Sequence, residues 1–327
     1  MTLNAIEVKK LLKGFKAKTK DSGLKGSLKS IFSPVYKTIK AVDNIDFSIK
    51  KGEIVAFIGP NGAGKSTTIK MLTSILYPDS GNINVLGLDP IKDRKQLAYK
   101  IGTVFGQKEQ LWRHLTPYDN FKFFAAIYDI DNNKAEKRIN ELSKLFEFEK
   151  FINTPVKSLS LGQRIRCEIA ASIIHHPEIL FLDEPTIGLD PVVKEKIRIF
   201  IKTMNKEYQT TVFFTSHDIG DIEKLCKRII IMNDGQIVID STMENLRCNY
   251  LTKKILEIKT KGTIKLSHID GLKILHDEES VIRAEVDTSE QDIGEIVKIL
   301  DYNNIVDITI SNVPLENIIS KIYSTES

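Results

Sequence analysis

Short apolar runs alternate along most of the chain with stretches in which apolar residues recur at the spacing of a helix. The runs have the length of strands and lie at Glu53–Ile58, Ile179–Leu182, Thr211–Phe214 and Ile229–Met232. Strands that alternate with helices form a mainly parallel sheet with helices on both faces. The pattern therefore predicts an α/β core.

A basic segment separates the first two predicted strands, Ala5–Lys9 and Ala41–Ile49. It spans residues 14–35 and is rich in Lys, Gly and Ser. The first 40 residues hold ten lysines against only two acidic residues, Glu7 and Asp21. This charge balance favours an anionic partner, either phospholipid headgroups or nucleic acid, and a solvated lysine-rich loop explains it equally well.

The pattern changes twice further along the chain. From Thr116 to about Lys157 it is helical and free of strands. Beyond residue 247, strand-like runs at 255–259, Val281–Val286 and Ile305–Ile310 are mixed with helical stretches. We therefore predict a large domain over residues 1–247 and a small α+β domain over residues 248–327.

Composition limits the class of protein. Hydrophobic residues make up 42% and charged residues 28% of the 327 positions, which is the profile of a globular protein. No apolar run reaches the roughly 18 residues of a membrane-spanning helix, and the N-terminus has no apolar signal core. Cys167, Cys226 and Cys248 stand singly, which predicts reduced thiols in the cytosol and no metal site.

A glycine-rich loop follows the predicted strand that ends at Ile58. It matches the phosphate-loop pattern G-x-x-x-x-G-K-[ST], and its residues are Gly59, Pro60, Asn61, Gly62, Ala63, Gly64, Lys65 and Ser66, with Thr67 next in the helical stretch. Backbone N–H groups of such a loop point at phosphate oxygens, and the following helix adds a favourable dipole. We expect Lys65 to reach the β- and γ-phosphates and Ser66 to bind Mg²⁺.

Four further motifs follow the phosphate loop in a fixed order. They are the LSLGQ run Leu159–Gln163, the acidic pair Asp183-Glu184 that closes an apolar run, the Gly188-Leu189-Asp190 turn, and His217 after another apolar run. With these five motifs, residues 1–245 resemble an ABC transporter ATP-binding subunit. The resemblance implies a P-loop NTPase fold: a mixed sheet core, an antiparallel β subdomain, and a helical subdomain at about 112–165.

The resemblance also implies a role for each motif in ATP hydrolysis. Asp183 would hold the Mg²⁺ shell together with Ser66 and Gln107. Gln107 would also act in catalysis by sensing the attacking water, and Glu184 would orient or deprotonate that water. His217 would contact the γ-phosphate. Ser160, Gly162 and Gln163 would act on ATP held by a second copy, and Asp190 would communicate across that homodimer. Leu161 departs from the glycine that the family has at its position.

The sequence allows two alternatives at each of three positions. Gly106 adds one residue to the usual V-F-Q form, so Gln110 is the alternative to Gln107. Tyr36 has the spacing of the aromatic residue that stacks on adenine, and Phe32 competes with it if the basic segment shifts the alignment. Trp112 would line the groove that receives a permease, with core packing as an equal alternative.

We therefore expect the cytoplasmic, peripheral ATPase of a transporter whose membrane permease is a separate chain. The amino-acid sequences of residues 104–107, 159–164 and 186–190 resemble those of exporter-type cassettes of the ABC-2, multidrug-like branch. Membrane-surface contact by the basic segment is an additional expectation, and no nucleic-acid partner is expected. The alternative is a translation- or DNA-associated ABC ATPase; the single cassette and the lack of sustained heptads argue against it.

Overall fold

The computed structural model describes residues 4–18, 36–106, 108–250, 253–261, 272–278, 280–288, 292–299, 304–312 and 315–325. The chain divides into two compact units, Met1–Asp240 and Ser241–Ser327. None of the described helices combines the length and the apolar character that a bilayer crossing requires.

The described elements come in the following order along the chain. The strands are β1 (Asn4–Lys18), β2 (Tyr36–Lys50), β3 (Ile54–Ile58), β4 (Ser80–Val85), β5 (Ile101–Phe105), β6 (Ile179–Asp183), β7 (Thr211–Thr215), β8 (Arg228–Asn233), β9 (Gln236–Thr242), β10 (Lys253–Thr260), β11 (Leu272–Glu278), β12 (Val281–Asp287) and β13 (Ile305–Asn312). The helices are α1 (Lys65–Leu72), α2 (Arg94–Ala98), α3 (Pro117–Ile127), α4 (Asn132–Leu145), α5 (Leu161–Ser172), α6 (Pro191–Tyr208), α7 (Ile219–Leu225), α8 (Met243–Tyr250), α9 (Ile293–Ile299) and α10 (Leu315–Thr325).

The first unit contains two sheets. A six-stranded sheet has the order β5-β6-β7-β3-β8-β9, and the pairs β5–β6, β6–β7, β7–β3 and β3–β8 are parallel. A three-stranded antiparallel sheet has the order β2-β1-β4. Strands β3, β6 and β7 are buried along almost their whole length, because both faces of a parallel sheet are covered. The predicted α/β core with a mixed arrangement of sheets is confirmed.

A group of phenylalanines joins the two sheets. Phe47 of β2 lies 5.7 Å from Phe57 of β3, and Phe57 lies 4.9 Å from Phe213 of β7, measured between ring centroids. Phe181 of β6 extends the group, 5.7 Å from Phe213. Tilted aromatic pairs at these separations stabilise beyond the area that they bury. This group fixes the antiparallel sheet to the strands that lead into the phosphate loop.

The start of the basic segment differs from the sequence prediction. β1 continues to Lys18, so residues 14–18 are strand and pair with the first residues of β2. Phe15 stands opposite Ile39 in this ladder, and cross-strand pairs of this kind stabilise a hairpin. Residues 19–35 of the predicted insertion lie outside the described residues.

Helices α3, α4 and α5 form the part of the first unit that was predicted to be helical. Thr116 caps α3 through a capping box with Asp119, and Asp131 caps α4. Trp112 packs edge-on against Phe123 of α3 at 4.3 Å and keeps 45% of its surface exposed. Trp112 therefore packs on the subdomain while one side of it remains open.

The second unit is a two-layer α+β structure. Its antiparallel sheet has the order β11-β12-β10-β13. Leu256, Ile258, Ile282, Val286 and Ile296 form its core, in which Ile296 comes from α9. β11 was not predicted, while the other three strands and both later helices correspond to predicted runs.

The phenylalanine group gives a stability prediction. Phe213→Ala should lower the free energy of unfolding by about 3–5 kcal/mol, because Phe213 contacts aromatic rings from three other strands. Urea unfolding followed by circular dichroism measures this change. Phe15→Ala removes a ring that is 44% exposed and is the matched control, expected to stay within about 1 kcal/mol. Equal effects of the two substitutions would contradict a central role for the group.

Candidate functional site

The phosphate loop links the end of β3 to the start of α1. Gly64 immediately precedes α1 with φ of +105°, a left-handed conformation that favours glycine. A Cβ at this position would lie 2.2 Å from the carbonyl oxygen of Ala41 in β2. The loop therefore holds its shape only with glycine at position 64, and β2 is its direct neighbour.

Lys65 is enclosed by the loop that precedes it. Its Nζ donates to the carbonyl oxygens of Gly59 at 2.6 Å and Pro60 at 3.0 Å, and only 6% of the residue is exposed. Burial lowers the pKa of this ammonium, and the negative charges of Glu184 and Asp183 partly offset that effect. A poorly hydrated cation held among carbonyl oxygens is suited to bind an incoming phosphate.

The acidic pair lies at the carboxyl end of β6. Parallel pairing sets Asp183 beside Thr215, the last residue of β7, and Thr215 Oγ1 donates to Asp183 Oδ1 at 2.7 Å. The backbone N–H of Glu184 donates to the same hydroxyl at 3.1 Å. Thr215 was missed in the sequence prediction, although its place just before Ser216 and His217 at the end of an apolar run was a usable signal.

Glu184 and His217 form a direct pair. The Nε2 atom of His217 lies 2.7 Å from Oε1 of Glu184. Glu184 has φ of +55°, which is unusual for a residue with a side chain. His217 is 44% exposed at its side chain and Glu184 15%, so the pair is reached from solvent on the histidine side.

Next to His217, a salt bridge joins Lys194 of α6 to Asp218 at 2.5 Å. These residues line a cavity of about 330 Å³ together with Gly188 and Glu184. The loop that carries His217 is thereby attached to the helix that follows Asp190.

The extra glycine before Gln107 has a steric reason. The N–H of Gly106 donates to the carbonyl oxygen of Asp183 at 2.8 Å. A Cβ at this position would lie 2.3 Å from the carbonyl oxygen of Glu184. Gly106 thus lets the chain pass directly over the acidic pair. Gln107 itself lies outside the described residues, and Gln110 donates its side-chain N–H back to Thr103 of β5 at 2.9 Å.

A cavity of about 210 Å³ opens beside these groups. It is lined by Ser66, Lys70, Ile75, Phe105, Lys108, Asp183 and Glu184. The hydroxyl and carboxylate oxygens of Ser66 and Asp183 are the ligand type that Mg²⁺ prefers. Among the described residues no cluster of three or more His, Cys, Asp and Glu side chains could hold a metal.

The LSLGQ run forms the N-terminus of α5. Ser160 Oγ accepts from the N–H of Gln163 at 3.3 Å, and Gln163 Oε1 accepts from the N–H of Ser160 at 2.9 Å. This reciprocal capping box leaves Leu161 41% exposed and sets Gly162 against Val193 of α6. Asp190 caps α6 in turn, accepting from Val192 and Val193. Ser160, Gly162, Gln163 and Asp190 do not line the cavity at Ser66 and Asp183.

Tyr36 is the first residue of β2 and is 57% exposed. Five residues later along the same strand, Ala41 touches the phosphate loop at Gly64. Tyr36 therefore stands on the strand that contacts the loop at Gly64. Its competitor Phe32 lies outside the described residues.

Comparison with known proteins gives consistent matches. Residues 42–187 match the family described as ABC transporter. The chain is 36% identical to the linearmycin resistance ATP-binding protein LnrL of Bacillus subtilis, covering 69% of this chain and 71% of LnrL. It is 30% identical to the bacitracin transport ATP-binding protein BcrA of Bacillus licheniformis, covering 88% and 94% of the two chains. A solved dimeric ATP-binding cassette in a post-hydrolysis state with ADP and Pi is 28% identical, with a TM-score of 0.61, covering 73% of this chain and 98% of that one.

The close approach at Gly106 gives a second prediction. Gly106→Ala should push the Glu184 carbonyl away, lower the free energy of unfolding by about 1–3 kcal/mol and weaken nucleotide binding at least tenfold. Urea unfolding and titration with a fluorescent ATP analogue measure the two effects. Gly220→Ala is the control, because its Cβ would meet only a side-chain oxygen at 3.2 Å. Unchanged binding in Gly106→Ala would contradict the steric role.

Proposed function

The chain belongs to the family of ABC transporter ATP-binding proteins, and we propose that two copies of it close around two ATP molecules and drive an export permease. It is the ATP-binding subunit of a transport system, and the family hydrolyses ATP. The observation that carries the proposed mechanism is the contact between Glu184 and His217 beside the cavity lined by Ser66 and Asp183.

The reaction at this site is in-line hydrolysis of the γ-phosphate. Lys65 binds the phosphate oxygens, and Glu184 orients the attacking water and accepts its proton. The water oxygen bonds to phosphorus while the bond to the ADP oxygen breaks. His217 holds Glu184 through the 2.7 Å contact in the nucleotide-free protein, and its imidazole, which is 44% exposed, would contact the γ-phosphate when ATP is bound.

Mg²⁺ supplies charge neutralisation at the β- and γ-phosphate oxygens when it is bound, and Ser66 and Asp183 are the described residues that would hold it. Thr215 keeps Asp183 in place by donating to one of its oxygens.

A second copy is needed to complete the site. Ser160 and Gly162 stand at the N-terminus of α5, where free N–H groups and the helix dipole favour an anion, yet they do not line the cavity of their own chain. Apolar side chains are exposed around them at Leu161, Ile187 and Val192. An antiparallel homodimer would bury these residues and set each signature helix on the partner's γ-phosphate, with Asp190 at the dimer seam.

Transport follows from the different affinities of two states. ATP binds both copies and favours the closed dimer, whereas loss of the γ-phosphate removes the contacts to Ser160 and Gly162 and favours the open one. The swing between these states would move a separate permease on the cytoplasmic face of the membrane. The open side of Trp112 is the proposed contact with the permease, and the basic segment 14–35 would face anionic headgroups.

The sequences of the three motifs at 104–107, 159–164 and 186–190 and the names of two relatives support export. LnrL is named for linearmycin resistance and BcrA for bacitracin transport, and the match to BcrA also spans most of the second unit.

Purifying the chain from its own membranes should bring down one polytopic protein. Recovery of ribosomes or DNA in its place would favour the non-transport alternative.

The roles of Lys65 and Glu184 give a third prediction. Lys65→Ala should abolish ATP turnover, because the buried cation that binds the phosphates is lost. Glu184→Gln should lower kcat by at least a hundredfold while an ATP-stabilised dimer accumulates in analytical ultracentrifugation. Glu207→Gln, an exposed change at the far end of α6, should behave as wild type. Full turnover in either site variant would contradict the mechanism.

The adenine contact gives a fourth prediction. Tyr36→Ala should weaken ATP binding by about 1–3 kcal/mol, the range for one base stacked on an aromatic ring. Phe32→Ala tests the competing assignment and should leave binding unchanged. Isothermal titration of both variants with ATP decides between them, and a larger loss in Phe32→Ala would transfer the role to Phe32.

A further inference from the structure

The four-stranded sheet of the second unit has two edge strands, β11 and β13. Each of them pairs with only one described strand, β11 with β12 and β13 with β10. The outward backbone N–H and C=O groups of an edge strand can pair with a strand of another chain. The protection that each edge has against such pairing decides which of the two can serve as an interface.

Strand β11 carries the protection that is usual at a sheet edge. Its sequence places Lys273 near the start and the acidic residues Asp277 and Glu278 at the end. Its register with β12 shifts between Ile274 and His276, so only three consecutive pairs are regular on either side of the shift. Charged residues and irregular pairing both hinder an edge from taking up another strand.

Strand β13 lacks this protection over most of its length. It pairs with β10 without a register shift from Asp307 to Asn312, over six consecutive pairs. Asp307 is the only charged residue among 305–312, and the strand contains no proline. Five of its residues are β-branched, which favours extended pairing: Ile305, Val306, Ile308, Thr309 and Ile310. Strand β13 therefore has the longer regular edge and the less protected one.

The apolar core of the second unit continues to this edge. Ile310 stands opposite Leu256, which belongs to the core, and Ile308 packs against that core. Leu256 is 2% exposed, whereas Ile310 is 45% exposed, and one more strand beside β13 would bury this apolar surface. Ile274 of β11 is exposed to a similar degree, 41%, so apolar area alone does not distinguish the two edges. The combination of apolar surface and missing protection singles out β13.

The sequence of β13 is self-complementary. When two copies pair antiparallel about a twofold axis at Thr309, each Ile308 faces the partner's Ile310 on the core side of the sheet. Asp307 faces the partner's Ser311, a hydroxyl, and so meets no second carboxylate. Thr309 faces itself, and threonine pairs across strands are favourable. Because both copies use the same edge, the pairing closes at two copies and does not continue into a filament.

We propose that β13 pairs with β13 of a second copy in this register and joins two four-stranded sheets into one. The contact needs no nucleotide, so it is a dimer interface separate from the one that closes on ATP. Five strand pairs form a small contact beside the roughly 1,200 Å² of a stable interface, so we expect a Kd of about 100 µM. In the proposed cycle the contact would keep two copies together after hydrolysis by raising their effective concentration. Only this consequence rests on the proposed function.

The first test is disulfide cross-linking of the nucleotide-free chain. Opposite Cα atoms of an antiparallel pair lie about 4.5–5.5 Å apart, within the range of a disulfide, so Thr309→Cys should cross-link to itself under mild oxidation. Asp307→Cys is the matched control, because the two copies of residue 307 would lie about 13 Å apart along the strands. Non-reducing electrophoresis should show at least tenfold more covalent dimer for Thr309→Cys than for this control. Wild type reports the background from the three native cysteines.

The second test measures association of the nucleotide-free chain by sedimentation equilibrium, at concentrations that span the expected Kd. Ile310→Lys places a charge on the apolar side of the edge and should raise the Kd at least tenfold. Leu275→Lys makes the same kind of change on β11, where the residue is 48% exposed, and should leave the Kd within twofold. Thr309→Lys changes an exposed residue and sets two lysines opposite each other, so it weakens the contact without altering the core. Mixing Thr309→Lys with Thr309→Glu should restore association.

The outcomes decide for or against the interface. Cross-linking of Thr309→Cys at the level of Asp307→Cys, or unchanged association in both Ile310→Lys and Thr309→Lys, overturns it. An equal loss of association in Leu275→Lys also overturns it, because the effect would then not be specific to β13. Neither test uses ATP, so a chain that cross-links at residue 309 and forms no ATP-stabilised dimer supports the edge contact and refutes the proposed function.

Discussion

Parallel pairing of β6 with its two neighbours brings Phe105, Asp183 and Thr215 into register at one edge of the sheet. Everything that the site does depends on that alignment. Since β3 pairs in parallel with β7, the phosphate loop emerges at the same edge, and Lys65 falls within the field of both carboxylates. The phenylalanine group beneath this edge keeps the alignment rigid, because rings from β2, β3, β6 and β7 pack on one another.

Much of this arrangement could be predicted from sequence because the signals are local. An apolar run followed by a glycine-rich loop, or by two acidic residues, specifies both a strand and what stands at its end. The features that sequence did not predict depend on contacts between distant segments. Thr215 acquires its role only through its register with Asp183, and the need for Gly106 follows from the carbonyl oxygen of Glu184. Strands β5 and β11 were not predicted, because Gly102 and Thr103 interrupt the apolar run of β5 and the last three residues of β11, 276–278, are polar.

The signature run shows how one set of residues satisfies two requirements. Ser160 and Gln163 form a capping box, so their polar atoms already stabilise the start of α5 in a single chain. The cap leaves the N–H groups of Leu161 and Gly162 outside its two hydrogen bonds. Leu161 replaces the family's glycine and is 41% exposed beside Gly188, so the substitution causes no clash within the chain. The first turn of α5 would therefore need no rearrangement to present these N–H groups to an anion held by another copy, as the proposed dimer requires.

Three departures from ordinary folding rules lie on elements of the site. Glu184 has a positive φ, Lys65 is a buried cation, and Glu168 is a buried carboxylate with one unpaired oxygen. Each of these features weakens the folded state relative to a conventional alternative. They lie on the phosphate loop, the acidic pair and helix α5, the three elements that the proposed dimer would bring together around a nucleotide. A ligand that relieves such strain or pairs such a charge stabilises the element that carries it. The proposed cycle, in which the dimer closes on ATP and opens after hydrolysis, relies on that gain in the ATP-bound state.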